Sequence, residues 1–250
     1  MKQDISYDKS RLLVGILGGM GPLASAEFIS SIHKFDLLNS NKFTEQDFSK
    51  YILLCDSSIP DRTYNLLNNK QDFLQAEVEK RLEILWNAKV DYIVPVCFTV
   101  SAVLHILSRK FKIVSMVGMA MKEILIKKQK VLILCTQGTR ALNVFMNHPL
   151  WGEAKQYMVW LDDLDQYKIH ELIYQIKATH DTRDLEQLID MLQAKYNTSL
   201  WMAGCTELHL LGSLKYFKQK TFNFIDPFLT MAQVIAANDS KFLQDPYMVL

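Results

Sequence analysis

The sequence predicts an α/β protein built as two similar halves, each a parallel-rich sheet flanked by helices. Three observations predict it. Short apolar runs bounded by Gly or Pro alternate with longer amphipathic stretches, the pattern of βα units stacking into a parallel sheet. The runs are continuously apolar, as strands buried on both faces are. The order helix, buried strand, cysteine also occurs twice, ending in Val96-Cys97-Phe98-Thr99 and in Gly204-Cys205-Thr206-Glu207.

In chain order, strands are expected at 12–17, 51–55, 92–97, 112–114, 131–135, 157–161, 200–204 and 222–225. Cys97 and Cys205 then stand at the carboxyl ends of buried strands, where open α/β sheets bind ligands. Over 70–88, Phe73, Leu74, Val78, Leu82, Leu85 and Trp86 recur at helical spacing, with Glu77, Glu79, Lys80 and Arg81 mostly opposite, so this helix covers a sheet face. A helix over about 185–196, carrying Leu188, Ile189 and Leu192, precedes the second cysteine strand. The Asn-rich stretch 66–71 reads as a surface loop. A boundary near 112–118 gives a first half of three βα units, and the tail from 222 returns to it. The expected division is therefore 1–115 plus 222–250 against 116–221.

Composition narrows the function. Across 250 residues, 28 Lys and Arg balance 27 Asp and Glu, leaving +1, so no general field attracts nucleic acid or an anionic membrane. The expected partner is a small molecule. Four cysteines without zinc spacing, and no apolar signal segment at the start, point to reduced thiols and a cytoplasmic location. No apolar stretch is long enough to span a bilayer. The six histidines are scattered without paired spacing, so no metal is expected.

Gly18-Gly19-Met20-Gly21-Pro22-Leu23-Ala24 follows the first strand and opens a helix, with Pro22 suited to its first turn. It satisfies the loose dinucleotide pattern G-x-G-x-x-A, yet no acidic residue closes the second strand at the usual distance, and no Lys-Ser or Lys-Thr makes it a P-loop. What remains is a loop whose backbone N–H groups can face an anion, a carboxylate as readily as a phosphate. A tight turn needing only glycine is the competing reading. Arg62, in the loop after the second strand, can clamp a carboxylate bidentately, or pair locally with Asp61 or Asp56. Two thiols on opposite faces of a bound carbon suit proton chemistry: a thiolate removes a proton and a thiol delivers one. Cys55 and Cys135 end apolar runs without comparable surroundings and are assigned to packing. Lys177 reads as a solvated helix charge, and His209 as a surface or internally satisfied histidine on the helix after Cys205.

Together, Gly15-Ile16-Leu17-Gly18-Gly19-Met20-Gly21-Pro22, Ile59-Pro60-Asp61-Arg62, Cys97-x-Thr99, Leu132-Ile133-Leu134-Cys135-Thr136-Gln137-Gly138-Thr139, Gly204-Cys205-Thr206-Glu207-Leu208 and Ile225-Asp226-Pro227 closely resemble the aspartate/glutamate racemase family. The six motifs come in the family's order and span nearly the whole chain. The resemblance implies two α/β domains related by a pseudo-twofold, an active site in the cleft between them, and racemisation of an amino acid by two cysteines without a cofactor. It also implies a homodimer. Cys97 and Cys205 match the acid and base; Thr99 and Thr206 match the threonines beside them that contact substrate. Arg62 matches the arginine that clamps a distal carboxylate. Gly19, Met20 and Gly21 match the first substrate-lining loop, Thr136 and Thr139 the second domain's loop, and Lys177 a helix lysine near the site.

The chain departs from the family at the first cysteine. Phe98 replaces the usual Asn, and Ser101 stands where a His often follows. Asparagine offers an acceptor and two donors where phenylalanine offers none, a loss of roughly 1 to 3 kcal/mol if the site used one of them. Phe98 is thus expected to reshape the substrate pocket or to point away from it. The alternative readings are a relative with changed chemistry, an isomerase or decarboxylase of a carboxylate, and an inactive amino-acid-binding protein.

Overall fold

The structure, a computed structural model, describes residues 11–42 and 44–250. Its first sheet is formed by β1 (Leu13–Gly18), β2 (Lys50–Cys55) and β3 (Tyr92–Pro95) in the order β2-β1-β3, all parallel. Helices α1 (Pro22–Leu38), α2 (Arg62–Leu67), α3 (Gln71–Asn87), α4 (Ser101–Leu107) and α5 (Met116–Lys127) alternate with and follow these strands. The second sheet contains β4 (Val131–Cys135), β5 (Met158–Val159), β6 (Leu200–Gly204) and β7 (Phe224–Ile225) in the order β5-β4-β6-β7, again all parallel. Its helices are α6 (Gln137–Ala141), α7 (Trp151–Ala154), α8 (Asp163–Thr179), α9 (Arg183–Lys195), α10 (Thr206–Leu214) and α11 (Pro227–Ala236).

The halves repeat one plan. In each, the first strand is central, the second flanks it on one side, and the third, on the other side, ends just before a cysteine. Beside β3, in the place that β7 holds beside β6, the expected strand 112–114 is reduced to two isolated bridges, Ile93–Ile113 parallel and Val114–Val249 antiparallel. The Ile93 N–H donates to the Lys112 carbonyl at 2.8 Å, and the Val114 N–H to the Ile93 carbonyl at 2.8 Å. The helix that follows each half then crosses to the other: α11 packs on α1, and α5 packs on α7 and β7. The segment 222–250 therefore does not go to the first half as one piece. Its strand stays in the second sheet because Trp201 and Met202 pair with Phe224 and Ile225.

Three further expectations are corrected. In α3 only Leu74, Val78, Leu82 and Leu85 are buried; Phe73 is 53% exposed and Trp86 borders solvent, so the buried stripe is narrower than the apolar pattern. Cys55 is exposed, not packed, because β2 lies at the sheet edge. The run 157–161 shortens to a two-residue strand. Cys135, by contrast, is fully buried, and burial pushes its thiol up to about 12. Among the described residues, no helix is long and apolar enough to cross a membrane.

One apolar core runs through both halves, and Phe98 lies in it. Its ring meets Phe145 at 5.7 Å and Phe228 at 5.4 Å, joining the end of the first sheet to the second half and to α11.

Candidate active site

Each thiol is placed by the local backbone. Val96 continues the β1 pairing through an N–H to the Leu17 carbonyl at 2.9 Å, and Cys97 follows as the chain turns toward α4. Successive residues leaving a strand face opposite ways, so Cys97 and Thr99 reach the cavity while Phe98 enters the core. Cys205 is the N-cap of α10, directly after β6. The Thr206 hydroxyl donates to the Val96 carbonyl at 3.2 Å, strapping the first turn of α10 to the end of β3.

Gly19 has φ +89°, and a Cβ there would lie 2.3 Å from the Asp56 carbonyl carbon, so only glycine fits this turn. The Ser25 hydroxyl accepts from the Gly19 N–H at 3.1 Å and donates to the Gly21 carbonyl at 2.8 Å. This holds Met20 toward the site. Asp61 caps α2 by accepting from the Tyr64 N–H at 2.7 Å, which aims Arg62 inward. Gly138 lets α2 lie on α6, since a Cβ there would meet the Thr63 hydroxyl at 2.5 Å.

Met20, Asp61, Arg62, Thr63, Cys97, Thr99, Thr136, Tyr174, Lys177, Cys205, Thr206 and Glu207 enclose a cavity of ≈ 10 Å³, about the room one water needs. The site is thus narrow, and its lining is mostly buried. A far larger surface concavity of ≈ 500 Å³, lined by Ser101, His105, Asn147 and His148 among others, contains neither thiol. Chemistry, not size, marks the functional cavity.

The two thiols differ in their neighbours. Arg62 is 8% exposed; it donates to the carbonyls of Met20 at 2.6 Å, Pro60 at 3.2 Å and Ile59 at 3.4 Å, and it shares the cavity wall with Cys97. Burial alone would lower its pKa, but Cys97, Asp61 and Glu207 hold it above the ordinary arginine value. The Cys205 thiol donates to Glu207 Oε2 at 2.8 Å. Burial first, then the Glu207 charge and this bond, raise its pKa well above the usual thiol range, against an opposing pull from Lys177.

Lys177 and Tyr174 share one face of α8. The ammonium sits 4.3 Å over the Tyr174 ring, and the phenol donates to Asp61 Oδ2 at 2.9 Å. Burial opposes the Lys177 charge, yet Glu207 and Cys205 raise its pKa. Thr99, Thr136 and Thr139 form a hydroxyl triangle with sides of 2.9 to 3.1 Å.

Of the residues singled out in the sequence, the structure brings together Met20, Arg62, Cys97, Thr99, Thr136, Lys177, Cys205 and Thr206. Gly19 and Thr139 are not on this wall, Gly21 lines an adjoining cavity of ≈ 10 Å³ with Lys177 and Glu207, and Phe98 is turned into the core. Phe98 is therefore corrected from a pocket residue to a core residue. Lys177 is a cavity residue, not a solvated charge, and Arg62 bonds backbone carbonyls in place of Asp61 or Asp56. Sequence reasoning gave no role to Glu207, Tyr174 or Thr63. Glu207 stood in the quoted Gly-Cys-Thr-Glu motif, and Tyr174 lies three residues before Lys177, hence on its helix face. His209 is internally satisfied: Nδ1 meets Asp226 Oδ2 at 2.7 Å and Nε2 meets the Ser31 hydroxyl at 3.2 Å. Among the described residues no group of His, Cys, Asp and Glu could hold a metal ion.

No protein-family model matches the chain. Solved structures do. An aspartate racemase from Picrophilus torridus superposes with a TM-score of 0.69 at 23% identity, over 90% of this chain and 93% of that one. A protein from Yersinia pestis described as an Asp/Glu racemase gives 0.68 at 17% identity, over 90% and 98%. A glutamate racemase from Bacillus anthracis gives 0.57 at 17% identity, over 94% and 82%. The chain has the two-sheet α/β fold of aspartate and glutamate racemases.

Proposed function

We propose that this protein is a cofactor-independent amino-acid racemase acting on aspartate or glutamate, with Cys97 and Cys205 as its acid and base. The observation that carries the reading is the meeting of two thiols, from equivalent strand ends of the two halves, in one cavity with the cations Arg62 and Lys177. The racemase fold supports it. One thiolate removes the α-proton and leaves its electron pair delocalised into the α-carboxylate; the opposite thiol returns a proton to the other face. The product is the enantiomer, and the two thiols have exchanged protonation states.

The surroundings assign the resting state of Cys205. Burial and a carboxylate accepting from Cys205 favour its thiol form. The direction that starts with Cys205 as the acid needs Cys97 as its base. Lys177 and Arg62 neutralise substrate carboxylates, and fixed donors in a largely buried site stabilise the enediolate charge as it develops. The test is α-proton exchange in heavy water, followed by NMR on single-enantiomer amino acids with reduced protein. Exchange with inversion that requires both thiols is expected. A folded protein that exchanges none of the panel overturns the reading and directs attention to non-amino-acid carboxylates.

A further inference from the structure

Glu207 is 2% exposed and lines the cavity with both thiols. Its Oε2 receives the Cys205 thiol, whereas its equally buried Oε1 meets no donor among the described residues. A buried charged oxygen without a donor is costly. The other carboxylate on the wall shows the contrast: in Asp61 one oxygen takes the Tyr64 N–H and the other the Tyr174 phenol. Oε1 rests against the first loop, where a Cβ on Gly21 would lie 2.3 Å from it.

The remaining polar groups of the wall are unsuited to a cation. Arg62 and Lys177 are themselves positive. The Thr99 and Thr136 hydroxyls are engaged with each other and with Thr139, and the Thr206 hydroxyl is given to Val96.

We propose that Glu207 Oε1 receives the α-ammonium of the substrate, so that this site takes an α-amino acid in preference to the same carboxylic acid without its amino group. The inference rests on the racemase reading and deepens it. It assigns to Glu207 a polar contact that Phe98, with its ring among Phe145 and Phe228, cannot make. One carboxylate then holds both the Cys205 thiol and the group attached to the reacting carbon.

The test is binding, because turnover would also register the change at Cys205. Calorimetric titrations compare L-aspartate with succinate, and L-glutamate with glutarate, in the wild type and in Glu207→Gln. The wild type should favour at least one amino acid over its desamino partner by roughly 10- to 100-fold, the range of a charged hydrogen bond. Glu207→Gln should bring that ratio close to one while leaving succinate or glutarate binding unchanged or tighter. Gly21→Ala, which crowds Oε1 without altering the carboxylate, should shift the ratio the same way. Circular dichroism establishes that the variants are folded. A folded Glu207→Gln that keeps the preference overturns the proposal, as does a wild type without preference or without binding to either pair. Preference lost in the variant, with no α-proton exchange in the wild type, upholds the subsite and removes the racemase reading. Exchange with the preference kept removes the subsite alone.

Discussion

Cys97 and Cys205 occupy the same place in two copies of one plan, each just past the third strand of its half, and both are 6% exposed. Their neighbours have opposite charge. Arg62 lies against the first, and Glu207 accepts from the second. Topology alone would make the thiols interchangeable; the two flanking side chains make their surroundings different. A repeat supplies opposed groups, and its departures from symmetry tell them apart.

The comparison breaks most completely if either thiol is dispensable. Cys97→Ser and Cys205→Ser should each lower two-way racemisation by about 10²- to 10⁴-fold, the usual contribution of a positioned acid or base. The measurement is chiral chromatography over a time course from each enantiomer. Near-normal turnover in either variant sinks the two-thiol mechanism.

A second departure from symmetry lies between the helices that follow the two halves. Glu123 of α5 is half-buried, with Oε1 fully buried and without a hydrogen-bond partner among the described residues; desolvation is the main cause that raises its pKa from 4.5 to about 7, and nearby Asp226 adds to it. The folded protein therefore holds this proton more tightly than the unfolded chain. Stability is unaffected below pH 4.5, falls as pH rises through the window up to about 7, and stays reduced above it. The shift corresponds to about 3 kcal/mol. Urea melts at pH 5 and pH 8 should show this loss in the wild type and its absence in Glu123→Gln. A pH-independent difference between the two proteins refutes the assignment.

Alkylation reads the contrast between the thiols directly. At equal exposure, iodoacetamide at pH 7 should modify Cys97 faster than Cys205 by about tenfold or more, since the thiolate is the nucleophile. Glu207→Gln should narrow the gap by letting the raised Cys205 pKa fall. Peptide mass spectrometry follows each site. Equal rates in the wild type would show that the resting thiols are equivalent.

Much of this was legible from residue order. The strands at 131–135 and 200–204 match to the residue, because continuous apolar runs ending at a cysteine leave little freedom in their limits. The strand at 112–114 faded to two isolated bridges, one residue each to β3 and to the C-terminal segment, too few to form a ladder. Phe73 and Trp86 lie on helical spacing yet escape burial, since periodicity gives the direction of a stripe and not its width. At the site, residue type announced Cys97, Cys205, Arg62 and the threonines. What it withheld was orientation: that Phe98 points into the core, that Arg62 spends donors on the Met20, Ile59 and Pro60 carbonyls, and that Glu207 turns back onto Cys205. Those depend on side-chain orientation, for which the local pattern has no signal even where the partners are two or three residues apart.

The smallest expected effect comes from the strap between the two ends. Thr206→Val keeps the side-chain shape but removes the bond to the Val96 carbonyl, one position before Cys97. Loss of a single neutral hydrogen bond costs about 1 kcal/mol, a few degrees in Tm for a chain of this size. The strap spans the two halves beside both thiols, so its loss should slow α-proton exchange by more than the roughly fivefold that the same energy represents. Alkylation rates of Cys97 and Cys205 should remain in their wild-type ratio, because neither Arg62 nor Glu207 has moved from its thiol. Should the ratio collapse in Thr206→Val, the asymmetry belongs to the spacing of the halves and not to the two charged neighbours.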